Sequence, residues 1–239
     1  MTEAGVCGIL LDIEGTTTPI AFVHDVLFSY ARAHASDFVK NNIRSDEVRA
    51  DVSMLFEEHA LDVVNDRNPP ELTEELESLA AYIEWLIDQD RKSTGLKSLQ
   101  GKIWRQGYLD GSLKSQVFED VAPAFERWRA AGLKVSIFSS GSVLAQQLLF
   151  AHTNAGDLTR FIDSYFDTKT GKKGEAESYR RIAAEMSHEP SEIVFISDVV
   201  DELDAAEEAG MKTLLSVRPG NPSQTPSDHQ VINSFDEYL

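Results

Sequence analysis

A single change of rhythm limits what this chain can fold into. From about Ile20 to Leu113 apolar residues recur at helical spacing, in AFVHDVLFSYARAHASDFVK, DEVRADVSMLFEEHALDVV and ELTEELESLAAYIEWLIDQD. Asn68-Pro69-Pro70 and Ser93-Thr94-Gly95 interrupt that stretch. From about Val121 strands and helices alternate. The helix APAFERWRAAG precedes the strand Lys134–Ser139, and the helix Ser142–Phe150 precedes a short strand, Ser164–Asp167. The helix ESYRRIAAEM, the strand Ile193–Ser197, the helix ELDAAEEAG stopped by Gly210 and the strand Lys212–Val217 follow. Ahead of the helical stretch, Val6–Leu11 is a β-rich run ending in Asp-Ile-Glu-Gly-Thr-Thr-Thr-Pro, where Gly15 and Pro19 mark a turn. Alternation of this kind implies a parallel, doubly wound α/β sheet, because parallel neighbours must be joined by crossovers. The simplest architecture is an α/β catalytic core, residues 1–19 and 120–239, with an all-helical insert over residues 20–119 placed after the first strand. Arg218 to His229, rich in Pro, Ser and Asn, reads as a surface loop before a short closing segment.

Charge narrows the partners. The chain has 239 residues, 42% of them hydrophobic and 26% charged, with a formal net charge of -18. Such a surface repels nucleic-acid backbones and anionic membranes. An anionic small molecule is still compatible, since a bound cation and a placed lysine reverse the sign locally. The single cysteine, Cys7, excludes an intramolecular disulfide and suits a reducing compartment. The start, MTEAGVCGILLDIEG, has no basic segment ahead of its apolar run, so a cytoplasmic location is expected.

Polar residues fall where an open sheet places its ligands, outside the carboxyl ends of the strands. Asp12 ends the first strand, Ser139 the second and Asp198 the fourth, and Lys173 follows the third after a short loop. One strand-end acid would be ordinary capping. Together, with acids at both Asp12 and Asp198, they point to a metal and phosphate site. A carboxylate at Asp12 can attack phosphorus and form an aspartyl phosphate, dividing one hard displacement into two easier ones. Glu14 is placed to protonate the leaving oxygen and then to activate water. Magnesium takes oxygen ligands, which Asp12 and Asp198 supply. Lys173 would offset charge on the phosphoryl oxygens, and Ser139, with the backbone amides around 140–142, would hold them. Glu202 reads equally as a second acid behind the site or as a helix N-terminal acid favoured by the dipole. The triplet Thr16-Thr17-Thr18 caps the turn, and Lys172 beside Lys173 reads as a solvated neighbour. His24, His34 and His59 lack metal-ligand spacing, and Cys7, Trp85, Trp104 and Trp128 read as core. The stretch from Gly95 to Lys102 is not a phosphate loop, because its glycines are one residue too far apart and Ile103 replaces Ser/Thr.

These residues also carry a resemblance. Asp12-Ile-Glu-Gly-Thr resembles the first motif of the haloacid dehalogenase-like superfamily, usually Asp-x-Asp-Gly-Thr; VSIFSSG resembles the second, Lys173 the third, and Asp198 in IVFISDVVDE the fourth. Within that superfamily, LLDIEGTTTPIAFVHDVLF, IFSSGSVLAQQLLF, FDTKTGKKGEAESY, GKIWRQGY and VRPGN are similar to the enolase-phosphatase family of methionine salvage, the acireductone synthases. The resemblance runs over nearly the whole chain and is weakest from Asn41 to Glu77. It implies enolisation and dephosphorylation of 2,3-diketo-5-methylthiopentyl-1-phosphate to the acireductone, with one magnesium ion per chain, in a cytoplasmic monomer. By position, Asp12 and Asp198 would hold the metal through their side chains and Glu14 through its backbone carbonyl. Ser139, Ser140 and Lys173 would contact the substrate phosphate. Glu14 in place of aspartate is characteristic of the family and argues against a dehalogenase.

The insert reads as a cap that excludes bulk water and selects substrate, with Lys97, Lys102, Arg105, Trp104 and Tyr108 as candidate substrate contacts. The alternatives are a generic capped magnesium-dependent sugar-phosphate phosphatase or mutase, and a catalytically dead scaffold. The intact acids and Lys173 speak against the scaffold.

Overall fold

Strands that are apolar on both faces must be covered on both sides, and the computed structural model shows how this chain does it. It describes residues 5–89, 91, 93–223 and 226–238. Asp90, at the end of the third helical run, and residues 224 and 225 of the tail lie outside the described residues. The strands β1 (Gly8–Leu11), β2 (Lys134–Phe138), β3 (Ser164–Phe166), β4 (Ile193–Ser197), β5 (Lys212–Ser216) and β6 (Gln230–Ile232) form one parallel sheet in the order β3-β2-β1-β4-β5-β6. β1 is central, and its last residue, Leu11, lies opposite both Ile137 and Ile196. β2 ends at Phe138, one residue earlier than its apolar run suggests, which leaves Ser139 just past the ladder as Asp12 is just past β1. β6 was not expected. Its three residues open the short closing segment after the loop, to which the sequence assigns no secondary structure, and pairing with β5 makes them a strand.

The helices α5 (Val121–Ala130), α6 (Val143–Ala151), α7 (Ala176–Met186) and α8 (Val200–Glu208) supply the cover. Leu10, Phe138 and Phe195 pack with Tyr179 and Ile182 of α7 and with Leu203 and Ala206 of α8. Ile9 and Leu11, equally buried, point to the opposite face of the sheet. Phe125 and Trp128 of α5 form a second aromatic group with Phe150 and Phe235, at centroid distances of 5.2 to 6.1 Å.

The chain forms two compact units, Met1–Val23 with Lys114–Leu239, and His24–Leu113. The second is helical: α1 (Ser29–Asn42) follows a π-helical turn at Phe22–Phe28, then come α2 (Asp46–Val64), α3 (Leu76–Asp88) and α4 (Thr94–Asp110). Ser45 and Ser93 cap α2 and α4, accepting from the N–H groups of Val48 and Leu96. Ala35, Val39, Leu55, Tyr82, Leu86 and Leu99 lie in its core. Two residues expected to touch substrate are committed to this interior. Lys102 pairs with Asp51 at 2.5 Å and reaches Ser98 at 2.9 Å. Trp104 is buried, and its indole N–H donates to the Leu27 carbonyl at 2.8 Å. Among the described residues no helix is long and apolar enough to cross a membrane.

Candidate active site

The two central strands set the site. Just past β1, the Asp12 N–H still donates to the Ile196 carbonyl of β4, which fixes the backbone from which the carboxylate projects. The chain then folds tightly, with the N–H groups of Thr16, Thr17 and Thr18 all turned to the Ile13 carbonyl. Thr17 is the threonine that caps this loop, donating its hydroxyl to the carbonyls of Asp12 and Ile13. Thr16 and Thr18 are buried, with hydroxyls that have no partner among the described residues. Glu14 is half-buried at the apex, bridged to Thr18. Gly15 has φ +66°, and a Cβ there would overlap the Asp198 carboxylate. Only glycine lets the loop pass this close.

Lys173 is the bridge. Its ammonium lies 2.7 Å from Asp12 Oδ1 and 2.6 Å from Glu202 Oε2. Tyr179 holds the lysine's own backbone by donating to the Lys173 carbonyl at 2.7 Å. Lys172 is 84% exposed and pairs with Glu175, whereas Lys173 is 12% exposed, so Lys173 is the member of the pair that serves the site. Burial opposes its charge, but the carboxylates of Asp12 and Glu202 outweigh that and hold the ammonium above its ordinary pKa. Glu202 also accepts from the Ser197 hydroxyl at 3.0 Å, and that hydroxyl lies 3.5 Å from Asp12 Oδ2. Glu202 therefore stands behind Asp12 and does more than complement a helix dipole.

Asp198 follows β4 directly. Burial, with the charges of Asp12 and Glu202, pushes its carboxyl up to about 7. Burial and Asp12 push Glu202 the same way. Three acids around one ammonium leave negative charge in excess, and the donors are all oxygen. This set fits a hard divalent cation such as magnesium.

Ser139 and Ser140 follow β2 on the same edge of the sheet. The Ser139 N–H donates to the Phe166 carbonyl, and its hydroxyl accepts from the Gly141 N–H at 3.2 Å. Ser139 is thus tied within its own loop and does not hydrogen-bond the Asp12–Lys173–Glu202 cluster. Ser142 caps α6 at Ala145, Asp167 accepts from the Val143 N–H, and the buried amide of Gln146 donates to the carbonyls of Gly141 and Phe166. At the start of α6 the amides of Val143 and Ala145 are thus engaged. Of the amides around 140–142, that of Gly141 is engaged by the Ser139 hydroxyl.

Two residues escaped sequence reasoning. Arg218, in a stretch read as surface loop, is buried: it donates to the Thr16 carbonyl and pairs with Asp120 at 2.7 Å. Asn221 donates its amide to the Gly15 carbonyl and to Asp198. Their signal was that VRPGN carries part of the family resemblance and follows β5, and so belongs to the same rim as the other strand ends.

Comparison with known proteins bears on this geometry. Residues 8–210 match the model of the haloacid dehalogenase-like hydrolases. The chain is 53% identical to Enolase-phosphatase E1 of Synechococcus elongatus, over 96% of each chain. It is 47% identical to Enolase-phosphatase E1 of Sorangium cellulosum, over 96% of this chain and 95% of that one. Among solved structures, the Unknown transcript 4 protein of Saccharomyces cerevisiae superposes with a TM-score of 0.80 at 36% identity, over 98% of this chain and 100% of that one.

Proposed function

We propose that this chain, which belongs to the haloacid dehalogenase-like hydrolases and within them to the enolase-phosphatase E1 proteins, is a bifunctional enolase-phosphatase of methionine salvage. Its substrate would be 2,3-diketo-5-methylthiopentyl-1-phosphate and its products 1,2-dihydroxy-3-keto-5-methylthiopentene and phosphate. The observation that carries this reading is the buried bridge from Lys173 to Asp12 and Glu202 beside Asp198. It occurs in a chain about half identical to Enolase-phosphatase E1 proteins.

In the first half-reaction the Glu14 carboxyl gives its proton to a carbonyl oxygen and takes one from the adjacent carbon, giving the enol phosphate and leaving Glu14 with a proton for the second. In the second, an Asp12 carboxylate oxygen attacks phosphorus while the bond from phosphorus to the substrate oxygen breaks, and Glu14 delivers a proton to that leaving oxygen. Glu14 then takes a proton from water, whose oxygen attacks the aspartyl phosphate; phosphate leaves and the Asp12 carboxylate is restored. Lys173 and the Ile13 N–H both engage Asp12 Oδ1, at 2.7 Å each, and so fix the rotation of the attacking group. Ser139, Ser140 and Lys173 are assigned to the phosphate oxygens. Hydrolases of this kind generally use magnesium. One ion here would be held by the side chains of Asp12 and Asp198 and the backbone carbonyl of Glu14, and would supply positive charge to the phosphoryl and enolate oxygens.

The helical unit is assigned the role of cap, excluding water and selecting substrate. The acidic surface and single cysteine fit a cytoplasmic monomer with no nucleic-acid or membrane partner. The test is turnover of the diketo phosphate, following enol absorbance and phosphate release separately. Enol formation followed by magnesium-dependent phosphate release is expected. Phosphate release from sugar phosphates without turnover of the diketone would select a generic phosphatase instead.

A further inference from the structure

The turn after β5 has no assigned part in the chemistry above, yet it is built into the rim. Arg218, Pro219, Gly220 and Asn221 close on themselves, with the Asn221 N–H donating to the Arg218 carbonyl at 3.1 Å. Gly220 sits at φ +88°, the left-handed position this type of turn requires. Arg218 anchors the turn from beneath. Its guanidinium pairs with Asp120, donates to the carbonyls of Thr16 and Asn233, and lies 4.3 Å from the centroid of the Phe235 ring. A turn held this firmly gives Asn221 a fixed direction.

That direction is toward the candidate metal site. Asn221 Nδ2 donates to the Gly15 carbonyl at 2.9 Å and to Asp198 Oδ2 at 3.3 Å. Two acceptors on one side fix which end of the amide is nitrogen, since the flipped amide would set oxygen against oxygen. Asn221 Oδ1 is then left buried with no partner among the described residues. An unmet buried acceptor is costly unless a donor arrives with what the site binds.

We propose that Asn221 is a positioning residue for the metal: it turns the Asp198 carboxylate, pins the Gly15 loop that carries Glu14, and offers Oδ1 to a water of the loaded site. The amide holds Asp198 Oδ2 at 3.3 Å, and without it the carboxylate is freer to rotate. The inference rests on reading Asp198 as a metal ligand, so the experiment examines both.

Magnesium affinity is measured by calorimetry on wild type, Asn221→Ala, Asn221→Leu and Asp198→Ala, with melting temperatures in EDTA. Loss of an outer partner of a metal ligand typically costs about 10–100-fold in affinity. Both Asn221 variants should therefore bind magnesium at least about 10-fold more weakly, with little change in EDTA melting temperature, and phosphate release should recover as magnesium is raised. Weakened binding in Asp198→Ala with unchanged binding in the Asn221 variants overturns the inference and leaves the metal site standing. Unchanged binding in Asp198→Ala overturns the metal site and the inference with it. Slower turnover in the Asn221 variants that magnesium does not relieve also overturns the inference. If one Asn221 variant fails to fold, the other decides.

Discussion

Both units bury acids, and they treat them in opposite ways. In the helical unit Asp62 is wholly inaccessible, yet Arg91 lies 3.0 Å and Arg67 2.9 Å from it, and the Tyr82 hydroxyl donates at 2.9 Å. Burial pushes the Asp62 carboxyl up, but hydrogen bonds from Arg91, Tyr82 and Arg67 outweigh it and hold the carboxyl below the ordinary aspartate range. Asp51, also buried, is paired with Lys102. In the α/β unit Asp12, Asp198 and Glu202 share Lys173, and Asp198 is driven up to about 7. In the helical unit both of these buried acids face cations, Asp62 two guanidiniums and Asp51 an ammonium. At the strand ends acids are left in excess, which a fold tolerates where a ligand completes the charge. The two aspartates are alike in being buried and differ in the direction of the shift, downward for Asp62 and upward for Asp198.

Removing the central acid should have the largest effect. Asp12→Asn keeps the side-chain shape and abolishes the nucleophile, so phosphate release should fall on the order of 10⁴-fold or more. The same change removes one of three mutually repelling charges, so the melting temperature in EDTA should hold or rise. A clear fall would mean that the Asp12–Lys173 pair holds the fold together, and the contrast between the units would collapse. Asp62→Asn should do the reverse. Breaking a buried pair by removing one partner costs about 3 kcal/mol in denaturant unfolding, while the magnesium dependence of phosphate release stays where it was. A shifted magnesium dependence with intact stability would make Asp62 a functional acid.

Glu14→Asp tests the departure from the superfamily's usual motif at a smaller scale. Shortening the side chain by one carbon withdraws the carboxylate by roughly 1 Å, a displacement that can cost about 100-fold when a proton must be moved at a fixed point. Enolisation should fall by about that factor, while dephosphorylation of a pre-formed enol phosphate falls only a few-fold. Equal losses in both steps would show that side-chain length serves the local packing of the loop and not the carbon skeleton.

What the sequence made legible follows the same division. Apolar runs such as Ile193–Ser197 declare themselves, and a polar residue closing each run locates the rim, so Asp12, Ser139 and Asp198 fall where expected. Glu202 could not be decided, because an acid in the first turn of a helix is favoured by the dipole whether or not it faces a lysine. Asn221 and Arg218 were hidden by composition: Pro, Gly and Asn spell a turn, and nothing local tells a buried turn from a solvated one. Lys102 and Trp104 read as substrate contacts because their partners, Asp51 and Leu27, are remote in sequence. The π-helical turn at Phe22–Phe28 has no signature in the apolar spacing.

The smallest effect is one of acidity. Because the Asp62 carboxyl is held below the ordinary aspartate range in the fold, the unfolded chain binds the extra proton first as pH falls, and stability rises with pH through that window. The contribution is fully present above the ordinary aspartate value of about 4 and is lost as pH drops through the depressed folded value. The difference in unfolding free energy between wild type and Asp62→Asn, measured with urea in EDTA, should therefore be level from neutral pH to about pH 5 and narrow only below about pH 4. A difference that persists to the lowest pH at which the protein stays folded would assign the cost to lost hydrogen-bond geometry around Tyr82 and Arg91, not to charge. Narrowing that begins already between about pH 7 and 5 would mean that Asp62 titrates high. In that case burial would have won over Arg91, Arg67 and Tyr82, and Asp62 would stand with the rim acids.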